Sequence, residues 1–355
     1  MIAALERAGA AVGSHFEEGA GHWWDDGATK DAECVDWPAL LALFRAARPR
    51  VDPDRAEFVS VDPGVDSVHH WLRVEQPLVY GTPVRVRAER DREERRVRVV
   101  TANLRRLQVQ PGDGAPWTLD VDGTLLTGVP HGVWLLRDGD DAPWRLADGP
   151  PPSREKSAAR SGPVKRVFDR RFVLVVPTAG TDAETAAARA RARFDAGVWQ
   201  YRGNGTAEIV DDTAFESAAR TRFAGRNAVL YGNADTNRAW RTVFGDDGPI
   251  HVQRGRVRVG DREFEGDDLG CVMVRPRHDD TVALAAAFAD TGVPGCRAGY
   301  RLMPFISGVG YPDYAVFDTR TLALGDGGVL AAGWFDAAWA LDGRGHLTFG
   351  GRRVK

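Results

Sequence analysis

An α/β protein with an added all-β segment is the fold class this sequence predicts, and three observations predict it. Continuous apolar runs such as Phe172–Val176 alternate with helical stretches over residues 164–355, the pattern of an open parallel sheet flanked by helices. Residues 51–147 instead hold short strands of alternating polarity between turn signals, the pattern of a β-sandwich. Residues 1–50 read helix, strand, glycine loop and helix, the terminal piece of an α/β sheet.

Composition sets the outer bounds. A hydrophobic fraction of 43% with 27% charged residues suits folded domains rather than a disordered chain. The net charge of −3 offers no long-range attraction to nucleic acid or to an anionic membrane, and neither is expected as a partner. No apolar run reaches the roughly 20 residues of a membrane span, and the N-terminus lacks the basic start and long apolar stretch of a signal peptide. The compartment is left open. Cys34, Cys271 and Cys296 are odd in number and lack CxxC spacing, so free thiols are expected.

The elements follow in order. Ile2–Ala8 reads as a short helix, Ala11–Glu17 as an extended strand broken by Gly19-Ala20-Gly21, and Trp37–Ala47 as an amphipathic helix with Pro38 in its first turn. In the second segment, His70–Val74 alternates, and Val84–Arg87 and Val97–Val99 form a hairpin across a charged turn, Glu89–Arg96. The mixed charges of that hairpin describe a wet sheet face. Residues 148–163 (DGPPPSREKSAARSGP) combine Pro, Ser and charge with little to bury, and read as an interdomain linker. Beyond it, a helix over Asp182–Asp195 with Thr181 or Asp182 as N-cap follows Phe172–Val176. Further strands are expected at Ala207–Val210, Asn227–Tyr231, Gly270–Val274 and Tyr314–Phe317.

The strongest chemical signal is Gly19-Ala20-Gly21-His22-Trp23-Trp24-Asp25: a strand enters, glycines turn tightly, a histidine tops the loop and a helix leaves. An α/β hydrolase presents its general base this way, beyond the last strand's carboxyl end and within reach of a serine on a neighbouring turn. On these residues the segment 1–50 resembles the C-terminal part of bacterial prolyl-oligopeptidase-like serine hydrolases. The order that follows resembles, more loosely, the extension of some multidomain members. The resemblance implies an α/β-hydrolase end, His22 as general base and a peptide or ester substrate. Departures are equally plain. In that fold the triad runs serine, acid, histidine, yet the 21 residues before His22 hold only Ser14, within the expected strand, and no Asp. No Gly-x-Ser-x-Gly occurs; Ser307 in Ile306-Ser307-Gly308-Val309-Gly310 is the nearest imitation. Nucleophile and acid are therefore expected on an upstream extension of roughly 200 residues, the size of such a core.

A second constellation, Tyr231-Gly232-Asn233-Ala234-Asp235-Thr236-Asn237, follows a strand and opens a helix. Ligands bind beyond strand ends in open α/β sheets, which makes Asn233, Asp235 and Asn237 candidate binding residues, while the same types serve as ordinary helix caps. Pro177-Thr178-Ala179-Gly180-Thr181 matches neither GxGxxG nor a P-loop, and Gly203-Asn204-Gly205 precedes a strand, so no dinucleotide, ATP or other cofactor is expected. His69-His70 point to opposite faces of a strand and His278-Asp279-Asp280 reads as a cap, so no metal is expected. Tryptophans such as Trp117, Trp134, Trp144, Trp334 and Trp339 could line a sugar-binding face, and core packing accounts for them equally well. The functional expectation is the C-terminal portion of a serine peptidase or esterase, inactive alone. The competing one is a non-catalytic binding or assembly protein that keeps a hydrolase remnant.

Overall fold

The computed structural model describes residues 1–7, 9, 12–24, 34, 37–48, 52–302, 305–306 and 310–347. They divide into two units, Met1–Asp52 and Pro53–Lys355. In the first, helices α1 (Ile2–Arg7) and α2 (Pro38–Ala46) form where apolar periodicity and Pro38 place them. Neither buries a single residue. The strand expected over Ala11–Glu17 does not form: its described residues, Val12–Glu17, are irregular. A strand needs a neighbour to satisfy its backbone groups, and no strand pairs there among the described residues.

The second unit begins with ten strands: β1 (Arg55–Ser60), β2 (Val68–His69), β3 (Leu72–Pro77), β4 (Val84–Asp91), β5 (Arg96–Ala102), β6 (Leu104–Val109), β7 (Trp117–Val121), β8 (Thr124–Val129), β9 (Val133–Leu136) and β10 (Arg145–Ala147). They make two five-stranded sheets, ordered β1-β4-β5-β7-β8 and β10-β9-β6-β3-β2, around one apolar core that includes Val74, Val86, Val99, Leu107, Leu119 and Leu135. Strict alternation in β4 turns Val84, Val86, Ala88 and the buried Arg90 inward, and Arg85, Arg87, Glu89 and Asp91 outward. The hairpin turn is tighter than expected, residues 92–95, because both strands run on past the apolar positions. His70 lies not in a strand but at φ +56° in the turn between β2 and β3.

The remainder is a mixed layer. In order come β11 (Phe172–Val176), α3 (Asp182–Gly203), β12 (Glu208–Asp211), α4 (Asp212–Ala218), β13 (Asn227–Gly232), α5 (Trp240–Phe244), β14 (Ile250–Gln253), β15 (Arg256–Val259), β16 (Arg262–Glu265), β17 (Leu269–Pro276), β18 (Leu284–Asp290), α6 (Val293–Ala298), β19 (Tyr314–Asp318), α7 (Thr321–Leu324), β20 (Val329–Phe335) and β21 (Leu341–Leu347). Eight strands form one sheet, ordered β12-β11-β13-β18-β17-β19-β20-β21, and β14-β15-β16 form a separate antiparallel sheet. The expectation of an open parallel sheet needs correction. β12, β11, β13 and β18 are parallel, whereas β17, β19, β20 and β21 pair antiparallel. A strand buried on both faces shows the same apolar run in either direction, so direction is set by the connections: seven residues between β17 and β18 permit only a hairpin. Thr181 caps α3 through a capping box with Glu184, and the helix runs to Gly203, where Asn204 stops it in the left-handed region.

Residues 148–163, expected as an open linker, are pinned on both sides. Gln76 Nε2 donates to Lys156 O at 2.7 Å and Ala158 N to Glu75 Oε1 at 2.8 Å, while Arg160 Nη1 donates to Thr281 O at 2.6 Å. The Lys156 side chain is fully buried. Its ammonium bonds the Asp313 carboxylate and Phe335 O, under the rings of Tyr80 (4.0 Å) and Trp339 (4.9 Å). A Cβ on Gly162 would fall 1.5 Å from Asp313 Oδ1, so only glycine lets the chain pass. The sequence hid this because a single lysine does the burying. Removing one member of a buried pair strands the other charge, so Lys156→Ala should cost about 3–5 kcal/mol in urea unfolding. Limited proteolysis of the parent chain should spare 155–163, and an early cut there would contradict this anchoring.

Candidate functional site: a polar cleft at the parallel strand ends

In the first unit, His22 is exposed and, among the described residues, its ring meets only Trp23, edge to face at 5.1 Å. It makes no hydrogen bond or ion pair with a described residue. Among the described residues of this unit, the acid with a histidine partner is Glu17, which bonds His15 Nε2 at 3.0 Å. Ser307 and Asp25 lie outside the described residues.

In the second unit, the chain leaves β11 toward β12 on one side while β13 lies on the other, the topological switch at which such sheets bind ligands. The turn after β13 brings Asn233, Asp235 and Asn237 together here. Asn233 Nδ2 donates to Asp290 O at 3.0 Å and its Oδ1 accepts from Asp235 N. Asn237 Nδ2 donates to Tyr231 O at 2.9 Å and its Oδ1 accepts from Ala239 N. Asp235 Oδ2 accepts from Arg254 N at 2.8 Å. Thus all three brace backbone. The crevice itself is laced shut: Ala179 N donates to Thr236 O, and the buried Asp212 carboxylate accepts from Thr178 and from Arg238 N. Arg254 forks onto Glu184 and holds that carboxyl down at about 2.

Open space lies next to this turn. Ala234 N donates to Val252 O at 3.0 Å and ties the turn to the β14–β16 sheet. That sheet sends Val252, Val257 and Phe264 into the core and His251, Gln253, Arg256, Arg258 and Glu263 outward. With Trp240 as a wall, these residues line a cleft of about 310 Å³. Among the described residues, Arg256 is held only through Nε, by Gln253 Oε1 at 2.9 Å, and Arg258 only by Gly260 O at 3.3 Å. Most of the donors of two guanidiniums are therefore free for a carboxylate or phosphate. Burial, and then the charge of Arg258, pushes His251 down, which favours its neutral form. The alternation Arg256-Val257-Arg258-Val259 between Gly255 and Gly260 was the sequence signal for this hairpin face.

No family model matches this chain. A stretch of 80 residues is 31% identical to a protein described as an uncharacterized secreted protein of Arthroderma benhamiae. The match covers 22% of this chain and 8% of that protein's length. Among the described residues no helix is long and apolar enough to cross a membrane.

One acid behind the turn titrates near neutrality. Asp290 ends β18; burial raises its carboxyl to about 7, against a bond from the Cys296 thiol that lowers it. Because the folded value lies above the unfolded 3.8, the contribution of this group to stability is complete below about pH 4 and is lost as pH rises through 7. It should remove on the order of 4 kcal/mol of stability between those limits. Urea titrations of Asp290→Asn across that range should lack this decline; an unchanged pH slope would contradict the assignment.

Proposed function

We propose that residues 1–355 are the C-terminal portion of a serine-type peptidase or esterase of the prolyl-oligopeptidase kind, with His22 as general base and residues 53–355 as accessory domains. The observation that carries this reading is the His22 loop. A glycine turn holds an exposed imidazole with no hydrogen-bond or ion-pair partner among the described residues, free to take up a serine and an acid from polypeptide outside these residues. Its surroundings support the reading. Phe16 (79% exposed), Trp23 (72%) and Phe44 (66%) present apolar surface of the sort a hydrolase core would cover. The accessory role rests on the polar cleft, whose free guanidinium donors suit the carboxylates of peptides.

A histidine without its serine gives no covalent catalysis. Residues 1–355 alone should neither hydrolyse p-nitrophenyl acetate nor take a fluorophosphonate label. A longer product of the same gene that carries the nucleophile should do both, and His22→Ala in it should lower kcat at least about 10³-fold. A labelled serine within 1–355, or full activity of that variant, would overturn the proposal. A gene product without any such nucleophile would favour a non-catalytic binding protein, for which the cleft is the motivating feature.

A further inference from the structure

Register places Val272 of β17, Ala315 of β19 and Ala332 of β20 in one row, so their side chains share one face of the large sheet. Helix α6 lies on that face against β17, where its Cys296 borders the same small space as Val272. Past α6 the chain makes a short 3-10 turn, Gly299–Arg301, and among the described residues no helix continues over β19 and β20. The two alanines then floor an open pocket of about 400 Å³, walled by Leu302, Tyr311 and Trp334. One wall is fixed from behind. Gly81, at φ +80°, lies so close to the Trp334 indole that a Cβ there would approach Cδ2 to 2.6 Å. Two opposite charges stand at the rim, Arg301 and Asp326; both are exposed, and neither side chain has a hydrogen bond or ion pair with a described residue.

From this arrangement we infer that the pocket is a binding site for short apolar peptides with free termini. The volume falls within the range of small-ligand sites, about 300–1,000 Å³. Small floor residues and aromatic walls fit bulky apolar side chains. The two rim charges decide the class. A fatty acid has use for Arg301 alone and would meet repulsion at Asp326. A zwitterionic peptide satisfies both, its carboxylate on Arg301 and its ammonium on Asp326, while its side chains fill the pocket. The site does not depend on the hydrolase reading, since binding involves no catalysis and is measured on residues 1–355 alone.

Calorimetric titration with the dipeptide Leu-Phe tests it, with acetyl-Leu-Phe, Leu-Phe-amide and octanoate as comparisons. Leu-Phe should saturate one site, and either cap should weaken it about three- to tenfold, the scale of an exposed ion pair. Charge matching predicts which variant erases which difference: Arg301→Gln should make the amide equal to the free acid, and Asp326→Asn should make the acetylated peptide equal to the free amine. Ala332→Trp should fill the pocket and abolish binding. Ala332→Leu, a smaller filling, should weaken it should the tryptophan variant fail to fold. An absence of saturable heat with Leu-Phe, binding indifferent to both Ala332 variants, or octanoate binding in place of the peptide would each overturn the inference.

Discussion

A lysine ammonium buried between two cores is the interaction on which the larger unit depends. Lys156 has no exposed surface, and burial pushes its pKa down even as Asp313 pushes it up. Such a charge is tolerable only if it is fully engaged. Here Asp313 and Phe335 O accept hydrogen bonds from it, and the Tyr80 and Trp339 rings offer their negative faces. Each partner comes from a different part of the chain: Tyr80 from the β-sandwich, Lys156 from residues 148–163, and Asp313, Phe335 and Trp339 from the mixed sheet. Asp313 also accepts Phe335 N at 2.8 Å, so the carboxylate braces the very strand whose carbonyl holds the lysine.

That junction has a consequence for ligand space. Gly81 belongs to the sandwich and Trp334 to β20, and their close approach backs the wall of the apolar pocket. The pocket is thus a product of docking and not of the mixed sheet alone. Its counterpart at the parallel strand ends has a different origin. There the switch-point crevice is filled by hydrogen bonds among Thr178, Asp212, Thr236 and Arg238, and the small β14–β16 sheet supplies the open, polar surface. Under the helix layer, Tyr231 Oη and Arg191 Nε both donate to Asp195 Oδ2 at 2.9 Å, which ties α3 to β13 and steadies the strand that leads into this region.

The site was legible only in part. Asn233, Asp235 and Asn237 were recognisable as strand-end polar residues, and the structure gathers them into one turn. Whether such residues brace backbone or face a ligand depends on where their atoms point, and here they point inward. Arg256 and Arg258 drew no notice because Arg-x-Arg on a strand is the ordinary mark of a solvated face. Their free donors matter because Trp240 and the Ala234 turn stand opposite them.

What the sequence determined by itself is local. It held the capping box at Thr181, the alternation of β4, the apolar runs of β11 and β13, the division between sandwich-like and α/β segments, and the glycine loop that presents His22. These depend on neighbours within a few residues, or on a periodicity that any stretch carries alone. Tertiary structure decided the rest. Leu284–Asp290, rich in the best helix former, becomes a fully buried strand because β13 and β17 take up its backbone groups on both edges. Val12–Glu17, apolar enough for a strand, has no partner among the described residues and stays irregular. A lysine in a stretch that reads as linker becomes the peg of the junction because three distant aromatic rings and one aspartate close around it. Strand direction, burial of charge and the two pockets all rest on contacts between residues far apart in the chain, and no local pattern encodes those.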